Sequence, residues 1–412
     1  MQASTGWAGD WEMSSHATPI TCLGSKEFSV LGMRITDVTV TAVKPDEDKP
    51  KSWLSESVVA NPMSIYPEYQ ARRSSWGARW GPELLVRITT DDGITGIGCA
   101  VPAGARSIIE DHFRHLLIGR DPFDIEKLWD QMFRASMPYG RKGLPIMAIS
   151  GIDVALWDIV GKALGQPVWR LLGGATKEAI PVYSTGNDVG FYRQLGFRGF
   201  KLAMPYGPAD GWDGMKKNVE LIERTREIVG PDSEIMLDCY MAWNVDYTLR
   251  MTRLIDAYRV RWIEECLPPD DYEGYAELTA KSLIPVATGE HEYTRWGFKE
   301  LIARRCCHIL QPDVAWVGGI SEVKKIAAMA SAWGLDVIPH GGGLHPWGLH
   351  FIMSQVNCPL AEWVVVGNPG EENPIRPLFP YLDGAPLPEN GMIRPTDTPG
   401  IGVAVREEWL VQ

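Results

Sequence analysis

The sequence predicts an α/β protein: a (β/α)8-type TIM barrel preceded by an α+β cap that the C-terminal tail completes. Three observations carry this expectation. Between Ile235 and Glu362, six titratable residues (Asp238, Glu264, Glu290, Asp313, His340 and Glu362) recur at intervals of 22 to 27 residues. Each stands at one end of a short apolar run rich in β-branched residues, with helix-like sequence filling the gaps, and a strand, loop and helix take about this length. Upstream, RITDVTVTAV and LLVRITTDDGITGIGCA alternate apolar with polar residues, as half-buried antiparallel strands do. Repeated βα units close into a barrel whose catalytic groups stand at the C-terminal ends of the strands, so most of the six would line one mouth.

In chain order, residues 1–32 have no clear period and read as an extension. Residues 33–165 read as the cap. Its first strand lies in RITDVTVTAV, and Asp92-Gly93 marks a hairpin between the next two. The intervening 44–81 is long, polar and rich in proline, but Trp53, Tyr66, Tyr69, Trp76 and Trp80 favour an ordered lid over a disordered linker. Helical patterns follow at about 106–117, 123–135 and 146–164. The barrel is expected over 166–367, with IPVYSTG from Ile180 as its first strand and FRGFKLAM, containing Lys201, as its second. The tail, 368–412, is rich in Pro and Gly and too short for a core of its own, so it is expected to return to the cap.

The chain has 412 residues, 45% hydrophobic and 22% charged, with a net charge of −12. Nucleic-acid binding is disfavoured, because no surplus of Lys and Arg is available to neutralise phosphates. No apolar run is expected to span a membrane, and no secretory signal opens the chain. Seven cysteines without a CxxC pair suggest no disulfide framework and fit a reducing cytoplasm.

Any single acidic residue after a strand is an ordinary helix cap or loop residue. Three in consecutive units, followed by Asp and His in the next two, point to chemistry. Asp238, Glu264 and Glu290 are hard oxygen donors with no His or Cys among them, a set that suits Mg2+ better than Zn2+. His340 can accept a proton near neutral pH, and Asp313, one strand earlier, can fix its tautomer. Glu362, if kept protonated, can donate a hydrogen bond to a developing enolate oxygen. Lys201 can place a cation near a substrate carboxylate. HGGG at His340 lacks the nucleophile elbow of an esterase, and no phosphate loop or dinucleotide fingerprint is present.

These segments resemble the enolase superfamily, in its mandelate-racemase-like group, whose sites use a Lys or His base with Mg2+. The resemblance rests on MLD, IEE, TGE, QPD, PHG, AEW, GIDVALWDIVGKALGQPVWRLLGG and PGIGV, and covers nearly the whole chain from Met33. Within the group, ANPMSIYPEYQARRS, MPYGPADG, IMLDCYMAWNVDY and LQPDVAWVGG are most similar to the rhamnonate dehydratases. The resemblance implies Mg2+ on Asp238, Glu264 and Glu290, and His340 as base with Asp313 behind it. It implies Glu362 at the enediolate, and Arg73, Trp53 and His291 at the substrate. It also implies a homo-oligomer acting on a small sugar acid, L-rhamnonate or a relative such as mannonate or lyxonate. Many relatives carry Lys-x-Lys on the second barrel strand, the second Lys being a base on the opposite face. Here Lys201-Leu202-Ala203 lacks it, which favours one-base syn dehydration over racemisation. Ser52 precedes Trp53 where a His is common, and GGGLHPWG replaces a more hydroxyl-rich segment; both bear on which acid is preferred. Two rival readings remain: a non-catalytic binding protein, against which the intact constellation stands, and a metal-dependent hydrolase, whose early His-x-His pair is missing.

Overall fold

The computed structural model describes residues 32–45, 59–69 and 83–411. Trp53, Arg73 and most of the expected lid and extension lie outside the described residues. The cap holds an antiparallel sheet in the order β1 (Ile35–Ala42), β2 (Glu83–Thr90), β3 (Thr95–Pro102). The hairpin closes through Asp91, Asp92 and Gly93, with Gly93 N donating to Thr90 O at 3.0 Å. It is a three-residue loop, and Gly93 at φ +77° supplies the left-handed position such a loop needs. Helix α1 (Ile125–Ser136) packs on α2 (Leu144–Ala163), and α2 covers the sheet. The helical stretch before them is irregular, with a π-helical turn at Ile108–Phe113.

Helix α2 corrects one expectation. Its 20 residues are long and apolar enough to cross a membrane, but nearly all are buried within the protein, which makes it a core helix. It lies on β3 without room for side chains between them. A Cβ at Gly98 would fall 2.0 Å from the Gly151 carbonyl oxygen, and one at Gly96 would fall 2.2 Å from that of Ala155.

Eight parallel strands form the barrel. They are β4 (Ile180–Thr185), β5 (Gly199–Ala203), β6 (Glu234–Asp238), β7 (Val260–Glu264), β8 (Val286–Thr288), β9 (Ile309–Leu310), β10 (Asp336–Val337) and β11 (Ala361–Val364). They pair in the order β10-β9-β8-β7-β6-β5-β4-β11. Between β10 and β11, Gly343 N donates to Glu362 O at 2.9 Å and no ladder forms among the described residues. The first seven strands are each followed by a helix: α3 (Val189–Gln194), α4 (Gly211–Val229), α5 (Val245–Ile255), α6 (Tyr272–Lys281), α7 (Thr294–Ala303), α8 (Gly319–Ala332) and α9 (Pro346–Ser354). No α-helix follows β11 among the described residues.

The barrel interior holds Tyr183, Met236, Trp262, Ala287, Ile309 and Ile338 as an apolar cluster. Side chains alternate along a strand, so residues two positions further on face inward at the next level. From Tyr183, Met236 and Trp262 that step reaches Thr185, Asp238 and Glu264. The tail runs back across both layers. β13 (Met392–Ile393) pairs with β4, β12 (Leu382–Asp383) pairs with β14 (Ala404–Val405), and Lys44 N donates to Trp409 O at 2.7 Å. Buried Asp158 of α2 accepts from Ile97 N and Ile401 N, both at 2.8 Å, tying the tail to β3.

Candidate active site

Parallel pairing sets Asp238 beside Glu264 and Ala203 beside Asp238. Glu290 follows β8, two residues beyond Thr288. Asp238, Glu264, Glu290 and Glu362 are all buried, at 8%, 0%, 4% and 2% exposure, as is Lys201 at 1%. The loops beyond β6 and β7 are strained: Tyr240, Met241 and Glu265 adopt φ of +43°, +60° and +47°, uncommon for residues with side chains. Tyr240 N donates to Asp238 Oδ1 at 2.9 Å, which fixes that carboxylate at the strand end.

Lys201 and Glu362 depart from the roles their spacing suggested. The Lys201 ammonium lies 2.6 Å from Glu264 Oε1 and 2.8 Å from Glu362 Oε1, so it is committed to two carboxylates. Glu362 also accepts from Thr185 Oγ1, and from Gly341 N at 2.8 Å. Burial alone would raise its carboxyl, but Lys201, His340 and these hydrogen bonds outweigh burial and lower it to about 2. These contacts favour the ionised carboxylate over a protonated donor at Glu362.

His340 fits its expected place. Its Nδ1 meets Asp313 Oδ2 at 2.7 Å, which leaves Nε2 facing the carboxylates, 3.4 Å from Glu290 Oε1. Burial disfavours the imidazolium, yet Glu290 and the Asp313 hydrogen bond together hold the ring well above its ordinary value. Trp316 stacks at a tilt against it, ring centroids 5.4 Å apart. His291 Nδ1 meets Glu265 Oε2 at 2.8 Å, and its Nε2 lies 3.9 Å from Glu290. Against burial, those two carboxylates raise His291 to about 9.

The donor set suits a hard divalent cation. Burial first, and then repulsion from Asp238 and neighbouring carboxylates, pushes Glu264 up to about 8 and Glu290 to about 7, because Lys201 and the histidines only partly neutralise them. Glu265, Glu290 and His291 bring one ligand atom each within 4.8 Å of one another, a tighter group than the spacing-based triad. Glu290 is common to both groups, and in the tighter one His291 Nδ1 is already engaged by Glu265 Oε2 at 2.8 Å. Glu264 Oε2 already accepts from Gln311 Nε2 at 2.6 Å and Trp262 Nε1 at 3.2 Å, leaving Oε1 with one lone pair beyond the Lys201 contact.

Thr185, Gln311, Glu265 and Trp316 were not found from the sequence. Thr185 was accessible to it, as the inward residue two beyond Tyr183 at the end of IPVYST. A cavity of about 370 Å³ around Arg198, Glu234, Arg261 and Asn390 lies at the opposite end of the barrel and shares no residue with this cluster.

Residues 189–409 match the family model described as Enolase C-terminal domain-like. Residues 58–173 match the Mandelate racemase / muconate lactonizing enzyme N-terminal domain. Among solved structures, L-rhamnonate dehydratase from Gibberella zeae is 39% identical with a TM-score of 0.86, covering 92% of this chain and 96% of its own. A second structure of rhamnonate dehydratase from that organism, complexed with Mg, is 38% identical over the same coverage, with a TM-score of 0.86. The 3,6-anhydro-D-galactonate cycloisomerase from Zobellia galactanivorans is 29% identical with a TM-score of 0.74, covering 92% of this chain and 100% of its own. The chain is an enzyme of the hydro-lyase kind that these dehydratase neighbours exemplify. With a matching cap, a matching barrel and a buried cluster of acids at the barrel mouth, it belongs to the enolase superfamily.

Proposed function

We propose that the enzyme is a Mg2+-dependent acid-sugar dehydratase that converts L-rhamnonate, or a close relative, to the 2-keto-3-deoxy acid. The observation that carries the reading is His340, oriented by Asp313 at 2.7 Å and facing a buried acidic cluster. Asp238, Glu264 and Glu290 hold the cation. When bound, Mg2+ supplies positive charge that neutralises these acids and stabilises charge developing on the substrate carboxylate. With Glu290 so committed, His340 loses its strongest anionic neighbour and can act as a base. It removes the C2 proton, and the electron pair spreads into the carboxylate. His340 then returns the proton to the C3 hydroxyl, which leaves as water on the same face, and the enol product becomes the ketone. Lys201 and Glu362 form a fixed, buried ion pair in the same cluster. Ala203 occupies the position where many relatives carry a second base, so one-base syn elimination is favoured over racemisation.

Arg73, Trp53 and His291 complete the substrate contacts in this reading, in which 33–165, 166–367 and 368–412 are cap, barrel and returning tail. The protein acts in the cytoplasm as a homo-oligomer, without nucleic acid or membrane as partner; light scattering tests the assembly. The test of function is a panel of sugar acids incubated with the purified chain and Mg2+, with 2-keto-3-deoxy products detected as semicarbazones. L-rhamnonate is expected to lead. No elimination from any acid, with Mg2+ demonstrably bound, refutes the proposal.

A further inference from the structure

We infer that the cap takes part in catalysis at a distance: α2, through Ser150, Asp153 and Trp157, positions the segment that carries Asp313 and Trp316 against His340. The inference rests on the assignment of His340 as the base. Asp313 and α8 are separated by only five residues. Within them, Trp316 N and Val317 N donate to Asp313 O at 3.0 and 2.8 Å, and Ala315 N donates to its carboxylate at 2.7 Å. The chain then turns through Gly318 and Gly319, at φ +120° and +83°, into α8. Asp313 and the start of α8 are therefore joined by one hydrogen-bonded turn, and movement at Gly318 is carried to Asp313.

The backbone at that turn and in the first turn of a helix needs partners from elsewhere. Here they come from the cap. Ser150 Oγ accepts from Gly318 N at 2.9 Å, and Asp153 Oδ2 accepts from Ser321 N at 3.0 Å. Trp157 Nε1 donates to Ser321 Oγ at 2.9 Å, and from α1 Trp129 Nε1 donates to Gly318 O at 2.7 Å. Ser150, Asp153 and Trp157 are spaced three and four residues apart, which sets them on one face of α2. Ser150 and Asp153 are 0% and 1% exposed, so no solvent competes for these bonds. The fit leaves no slack: a Cβ on Gly319 would fall 2.4 Å from Asp153 Oδ2. Cys99 of β3 is fully buried. Burial first, then Asp313 and Asp153, hold its thiol well above the ordinary value. These cap residues touch neither substrate nor His340; they are positioning residues.

The test compares Asp153→Ala, Asp153→Asn and Ser150→Ala in the Mg2+-loaded full chain. A misplacement of about 1 Å at a catalytic group costs about a hundredfold, so kcat is expected to fall about 10- to 100-fold in Asp153→Ala. KM for the sugar acid and the affinity for Mg2+ should stay within about twofold, because the metal carboxylates sit on other strands. Asp153→Asn keeps an oxygen acceptor for Ser321 N and should recover most of the loss. Ser150→Ala removes a different bond to the same turn and serves if Asp153→Ala does not fold. A second readout needs no turnover: the downfield proton resonance of His340 Nδ1–H, identified by its absence in His340→Gln, should shift or broaden in the alanine variants. Wild-type kcat and an unchanged resonance, with only a lower Tm, overturn the inference. If the wild-type chain eliminates water from no sugar acid, the functional reading fails, and the resonance alone then decides this one.

Discussion

Replacing Lys201 with Met would remove the only cation, among the described residues, that touches both Glu264 and Glu362. At 2.6 and 2.8 Å, each contact is worth about 6 kcal/mol of gross attraction at an effective dielectric of about 20, before the large cost of burying three charges is subtracted. The net is better judged from Glu362. Its carboxyl is lowered from 4.5 to about 2, and at about 1.4 kcal/mol per tenfold change this corresponds to about 3 kcal/mol. Breaking a buried pair by deleting one partner costs about 3–5 kcal/mol, which agrees. Because the folded carboxyl is more acidic than the unfolded one, the stabilisation is complete above about pH 4.5 and disappears as the pH falls towards 2. Lys201→Met should therefore lose about 3 kcal/mol at pH 7 in EDTA, read from denaturant unfolding by circular dichroism. Saturating Mg2+ should return part of that loss, since the cation compensates Glu264 directly. A variant as stable as the wild type in EDTA would show that the two carboxylates do not depend on Lys201. A loss of the same size with and without Mg2+ would detach Glu264 from the metal.

Four further outcomes are expected. Glu264 and Glu290 lie at about 8 and about 7, above their ordinary values, so their own contribution to metal-free stability is full below about pH 4.5 and is lost as the pH rises through 7 to 8. Mg2+ must displace those protons, so titration calorimetry at pH 6 in two buffers should report release of about one proton or more, and buffer-independent heats would contradict the acidic ligand set. His340→Gln should lower kcat roughly 10^2- to 10^4-fold with Mg2+ affinity unchanged, and retained turnover would remove His340 as the base. Asp158→Ala strands the amides of Ile97 and Ile401 and leaves Lys162, 2.6 Å away, without its carboxylate. It should cost about 3–5 kcal/mol and speed amide exchange around residue 401; unchanged exchange would mean the tail is held elsewhere. Arg73→Ala should raise KM for long sugar acids more than for short ones, and an equal effect on both would place Arg73 away from the sugar tail.

The barrel rhythm was legible because parallel strands buried on both faces are continuous apolar runs, and chemistry-bearing residues stand at their ends. The positions of Asp238, Glu264, Glu290, Asp313 and His340 at strand ends were legible for that reason, and Asp313 and His340 lie in hydrogen-bond contact. Glu362 was legible as a position, but its charge was not. Its ionisation is decided by Lys201, 161 residues away, and by Thr185 and the Gly341 amide, none of which its local sequence reveals. The partners of Lys201 were not legible, because a strand pattern reports which side faces inward, not which acid waits there. Helix α2 shows the same limit: its composition suits a bilayer, and only packing against β3 and α8 makes it a core element.

By itself the sequence determined what is periodic or local: the alternation of strand and helix, the hairpin at Gly93 and the acid type at each strand end. Only the tertiary structure decided which charges meet. Protonation in a buried cluster depends on distances of a few ångströms between residues far apart in the chain, and hydrogen bonds from α2 to the Asp313 turn span more than 160 residues. Local pattern encodes burial and backbone preference; long-range electrostatics and cross-layer hydrogen bonds exist only once the chain has closed.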